Sequence, residues 1–264
     1  MVVANAEDNE RETYYNSLLV VDGNGNVLVN YRKSFLYYTD EKWAAEGDIK
    51  RGFARLPFKS LADGKDEGKD ATLATTFGIC MDINPYRFEA PWTAWEFANR
   101  ILDSGSQLVI VSMAWLTYTD REQLQALGSK PELDTFNYWI QRLMPLFRRN
   151  MEHNDNATGE KRVIVVFANR VGEEEGYDDE GKANDSSVRY AGTSAILAFS
   201  QRPSSSSSSS QTLDRNDSGS ESGAEDSGLD VKILCWDLMG AAEEGVCFAD
   251  TASDPQMVFS LVKK

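Results

Sequence analysis

A chain of 264 residues with 41% hydrophobic content can bury one large core, which excludes a wholly disordered or fibrous protein. The formal net charge of -15 excludes the clustered basic face of a nucleic-acid binder, so no nucleic-acid partner is expected. The most apolar segments, 107–115 and 162–168, are far shorter than a membrane span, and the polar start, 1–12, has no apolar signal core; no membrane partner and a cytoplasmic location are expected.

In chain order, the apolar, β-branched runs 16–21 and 27–32 flank Asp22-Gly23-Asn24-Gly25-Asn26, which predicts a β-hairpin. Reading Asp22, Asn24 and Asn26 as a calcium loop fails, because Val27 stands where that loop needs glycine and Lys33 where it needs glutamate. A strand is expected at 53–57, a Gly/Asp/Lys-rich loop at 62–70, and an apolar strand from Ala71 that ends at Cys80. Helical spacing at 92–102, a Ser-Gly stop and the strand 107–114 make a strand–helix–strand unit, repeated by a helix at 135–150 and a buried strand at 163–168. Strands at 190–199, 231–236 and 245–249 complete an α/β pattern. The acidic runs 173–175, 178–180 and 214–230 read as solvated faces or tails. Residues 201–230, with seven consecutive serines, cannot bury enough apolar surface to order and are expected to be a disordered insertion in a single domain spanning 1–264.

Three cysteines without Cys-x-x-Cys spacing form neither a disulfide framework nor a metal site. Cys235 and Cys247 lie in apolar runs and read as small buried hydrophobes. Cys80 stands where a strand must stop, a position open to both a structural and a nucleophilic reading. His153, the single histidine, sits in a polar stretch and reads as a loop residue; zinc sites built on two or three histidines are excluded. A nucleophilic Cys80 would therefore depend on carboxylates and lysines.

Tyr31-Arg32-Lys33-Ser34, then Trp43-Ala44-Ala45-Glu46-Gly47-Asp48, then Phe77-Gly78-Ile79-Cys80-Met81-Asp82 resemble, in order and spacing, the lysine, second-glutamate and cysteine motifs of the nitrilase (carbon–nitrogen hydrolase) superfamily. Within it, the wording around Lys33 and Cys80 is most similar to the fungal protein N-terminal asparagine/glutamine amidohydrolases. The resemblance implies an α-β-β-α sandwich, no metal and no organic cofactor, and pairing into a homodimer. It implies that a protein or peptide N-terminus bearing Asn or Gln is the substrate, deamidated to Asp or Glu with release of ammonia in an N-degron pathway. It also implies roles: Cys80 attacks the carboxamide and forms a thioester, Lys33 and the Met81 backbone N–H hold the oxyanion, and Glu46 orients Lys33 and helps place water. Asp82 reads either as the partner of the substrate's α-ammonium group or as a structural carboxylate, and Trp115 either as a lining of the site or as core.

The superfamily's first glutamate, the general base, precedes the lysine motif. Glu7, Glu10 and Glu12 lie in a polar segment with no strand before them, so the role passes to none of them, and the sandwich is expected to lack its N-terminal strands. Two alternatives stand beside N-terminal deamidation: hydrolysis of another small amide or nitrile, and a catalytically silent remnant acting as a binding or regulatory module.

Overall fold

The computed structural model describes residues 12–58, 71–151, 159–177, 183–203 and 229–260. His153, the loop at 62–70, the acidic run 178–180 and residues 204–228 of the serine-rich segment lie outside them.

The expected hairpin forms from β1 (Ser17–Val21) and β2 (Val27–Arg32), paired antiparallel with Leu18 opposite Tyr31. Its turn is closed by Asp22, whose Oδ1 accepts the N–H groups of Asn24 and Asn26 at 2.8 and 2.9 Å, and by Gly25 at φ 85°, which an L side chain resists. A seven-stranded sheet follows, built from β3 (Phe53–Phe58), β4 (Ala71–Ile79), β5 (Leu108–Met113), β7 (Lys161–Asn169), β10 (Ala195–Pro203), β11 (Leu229–Leu238) and β12 (Met257–Ser260). Its order is β12-β11-β10-β7-β5-β4-β3, parallel at β4–β5–β7 and antiparallel elsewhere. A small sheet, β6-β9-β8, joins β6 (Leu116–Thr117), β8 (Val171–Tyr177) and β9 (Ala183–Ala191).

Alternation along the strands builds three layers. Val109 and Val111 of β5 face a core completed by Phe97, Ile101 and Leu102 of α1 (Glu96–Asp103), by Phe136 and Trp139 of α3 (Leu133–Arg142), and by Leu146 and Phe147 of α4 (Pro145–Arg148). Ile110, Phe77 and Ile79 point the other way, onto Leu18, Val20, Val29 and Tyr31 of the hairpin. Helices, large sheet and hairpin thus stack in the α-β-β order of the expected sandwich. Gly78 permits the close approach: a Cβ there would meet the Phe97 ring at 2.7 Å.

Several expectations are corrected. The helix expected at 135–150 is two helices, because Pro145 lacks the N–H that would continue α3 and instead starts α4. The strand expected at 245–249 does not form; Val246 and Phe248 are 89% and 81% exposed, and β12 pairs with β11 instead. The segment 190–199 is the end of β9, a corner and the start of β10. Residues 201–203 and 229–230, expected within the disordered insertion, pair as the tips of β10 and β11. Glu173 to Glu175, expected as a solvated face or tail, are strand residues of β8 in which Glu174 and Glu175 are exposed and Glu173 is held by Arg121 and Arg189.

Candidate active site

Strand β4 delivers Cys80 to the carboxyl edge of the sheet. The residue has φ 43°, a left-handed conformation that costs a side-chain-bearing residue about 1–2 kcal/mol and turns the chain sharply into the 3₁₀ turn Cys80–Ile83. Asp82 holds that turn. Its carboxylate is 2% exposed and accepts four hydrogen bonds: from Ile79 N–H at 2.7 Å, Phe35 N–H and Tyr31 Oη–H at 2.8 Å, and Ser34 N–H at 3.0 Å. Burial pushes its pKa up, while those hydrogen bonds pull it down. One carboxylate therefore binds the cysteine elbow to the lysine segment.

Lys33 is 3% exposed, and its Nζ lies 2.5 Å from Asp40 Oδ2. Asp40, also buried, accepts the Tyr37 N–H at 3.1 Å on Oδ2 and the Asn16 Nδ2–H at 3.2 Å on Oδ1. The turn that leads into Asp40, closed by the Asp40 N–H donating to the Tyr37 carbonyl at 2.7 Å, folds the chain back so that Asp40 meets a lysine seven residues earlier. Beside this pair, the Cys80 thiol is raised above its ordinary pKa by burial; the Lys33 charge and a backbone hydrogen bond at Ala114 oppose the rise without cancelling it.

These groups open onto a cavity of about 870 Å³, whose wall includes Lys33, Asp40, Cys80, Met81, Trp115 and Tyr138. Among the residues singled out from sequence, Lys33, Cys80, Met81 and Trp115 converge there, and Glu46 and Asp82 do not. Asp82 lies beneath the site with its acceptors already used, so its assignment to a substrate ammonium group is corrected to the structural alternative. Glu46 does not orient Lys33. Its backbone passes close, since the Gly47 N–H donates to the Lys33 carbonyl at 2.8 Å, but its carboxylate accepts the Tyr86 Oη–H at 2.9 Å and faces Arg87. Gly47 cannot carry a side chain there, because a Cβ would lie 2.2 Å from the Arg32 carbonyl oxygen.

Trp115 lines the cavity and also packs edge-on against buried Trp139, with centroids 5.9 Å apart. Asp40, Glu132 and Tyr138 were missed from sequence; only the spacing of Asp134, Thr135 and Tyr138 on one turn of α3 hinted at a shared face. Among the described residues no group of three His, Cys, Asp or Glu side chains is placed to hold a metal.

No protein-family model matches the chain. It is 33% identical over 201 residues to the protein N-terminal amidase of Schizosaccharomyces pombe, covering 72% of this chain and 57% of that one. Over 138 residues it is 35% identical to the protein N-terminal amidase of Saccharomyces cerevisiae, covering 50% of this chain and 30% of the relative. The chain is similar to the protein N-terminal amidases. It spans about half the length, or less, of these curated relatives. The crystal structure of a cysteine-to-serine variant of N-terminal amidase superposes with a TM-score of 0.55 at 21% identity, over 91% of this chain and 75% of that one. N-terminal amidase crystallised with an Asn-Glu-Ala peptide gives 0.51 at 22% identity, over 75% and 70%. The N-terminal amidase likeness bears out the resemblance read from the motifs around Lys33, Glu46 and Cys80, and the solved N-terminal amidase structures bear out the fold class.

Proposed function

We propose that this chain carries the nucleophile side of a reaction centre that hydrolyses the side-chain carboxamide of an N-terminal Asn or Gln, releasing ammonia. One observation carries the reading: the thiol of Cys80 and the ammonium of Lys33, brought from separate motifs, face one cavity in a chain similar to N-terminal amidases. The Cys80 sulfur attacks the carboxamide carbon, and the carbonyl oxygen takes up the negative charge. Lys33 and the Met81 backbone N–H are the donors for that oxyanion, each worth about 3–4 kcal/mol in comparable sites. The carbon–nitrogen bond then breaks, the nitrogen leaves as ammonia with the proton given up by the thiol, and a thioester remains. Water adds to the thioester carbon and restores the thiol, leaving a carboxylic acid. Asp40 positions Lys33 and balances its charge in the resting site. N-terminal amidases crystallised with Asn-Glu-Ala and Gln-Gly peptides support the substrate class.

A specific observation favours a second reading, a chain that binds without turning substrate over. The thiol is held protonated by burial, so a base must draw its proton. Ammonia release measured with an Asn-starting peptide, a Gln-starting peptide and free asparagine separates the choices. Turnover of the peptides in preference to asparagine is expected; preference for asparagine would support a small-amide hydrolase, and turnover of none would support the silent reading.

A further inference from the structure

The carboxylates on the cavity wall are Asp40, Glu132, Asp134 and Glu174. Asp40 is matched by Lys33, and Glu174 by Arg170 at 2.5 Å and by the Tyr190 hydroxyl at 2.6 Å. Glu132 and Asp134 have no ion pair among the described residues. Asp134 is exposed, where water screens its charge. Glu132 is only 9% exposed, and what remains exposed lies in the wall of the cavity.

Glu132 is the residue before α3. Its Oε2 accepts the Thr135 N–H at 3.0 Å, while Oε1 has no hydrogen-bond partner among the described residues. Capping does not require glutamate, since Ser, Thr, Asp and Asn are preferred there. Its backbone N–H donates to Thr193 Oγ1 at 2.9 Å, which fixes the side chain's origin. The rings of Trp115 and Tyr138, 5.4 Å apart, line the same cavity and suit the neighbourhood of a cation.

We propose that Glu132, with Trp115 and Tyr138, forms the subsite for the substrate's α-ammonium group, an assignment that rests on the N-terminal amide reading above. A cation arriving with the substrate supplies the partner that the protein leaves out, and a neutral or acetylated N-terminus does not.

The test uses the full chain with Cys80→Ala, which binds without turnover, and titrates Asn-Gly-Gly, Ala-Gly-Gly and N-acetyl-Asn-Gly-Gly by calorimetry. Both free-amine peptides are expected to bind at least about tenfold more tightly than the acetylated one. Glu132→Gln keeps an oxygen for the Thr135 N–H and should abolish that preference, while Asp134→Asn should leave it within about twofold. Glu132→Asp, which retains the charge one methylene back, should keep part of it. A parent chain with no preference for the free amine, or a Glu132→Gln chain that keeps it, would overturn the subsite. Failure of the amidase reading is seen separately: the preference persists, but the chain with Cys80 intact releases no ammonia.

Discussion

At the scale of single residues, the proposed chemistry centres on the Lys33–Asp40 pair and the raised Cys80 thiol. Removing one member of a buried ion pair strands the other, so Lys33→Ala should cost about 3–5 kcal/mol in urea unfolding. The double change Lys33→Ala with Asp40→Asn should recover most of that stability and none of the activity. A double variant no more stable than the single one would show that the pair is not the cause. Because burial raises the thiol, Cys80 alkylation followed by peptide mass spectrometry should rise with pH through a midpoint above that of a free cysteine, and Lys33→Ala should move it higher still. A midpoint below the ordinary thiol range would refute this account of the resting state.

At the scale of elements, the cysteine elbow depends on Asp82 lying beneath it. Asp82→Asn turns an oxygen acceptor into an N–H donor facing other donors, and should cost about 3 kcal/mol or more while Cys80 itself is unchanged. Equal unfolding midpoints for the two chains would sink that role. The elements themselves were legible wherever local chemistry decides them: Asp22 and Gly25 write the hairpin, and β5, β7 and β11 are short apolar runs between turn residues. They were less legible where partners decide. β8 is acidic yet strand-forming because it pairs along β9, with arginines from α2 (Arg121–Leu127) and β9 meeting Glu173, and 245–249 is apolar yet irregular because no described strand pairs with it. The site followed the same division. Lys33 and Cys80 are marked by their motifs, whereas the choice of Asp40 over Glu46 depends on a turn that folds back, and Glu132 on where a helix begins.

At the scale of the whole molecule, the large sheet joins the hairpin that supplies Lys33 to the helices that supply the far wall of the cavity. Its centre is fastened by Glu160, just before β7, which binds Arg162 at 2.9 Å, Arg202 of β10 at 2.8 Å, and Ser200. Burial would raise the Glu160 pKa, but hydrogen bonds from Arg162, Ser200 and Arg202 outweigh it and hold it at about 2, below the ordinary 4.5. The stabilisation is therefore complete above pH 4.5 and lost as pH falls through about 2. Glu160→Gln should cost about 1.5–3 kcal/mol at neutral pH, with the difference shrinking across that acid window; a difference independent of pH would contradict the assignment. The claim on which the rest depends is that Cys80 in this cavity attacks an N-terminal carboxamide. Ammonia release from an Asn-starting peptide, with conversion of the peptide to its Asp form followed by mass spectrometry, tests it most directly. Both signals are expected from the chain and neither from Cys80→Ala; equal signals from the two chains, or no conversion by either, would contradict the role of Cys80.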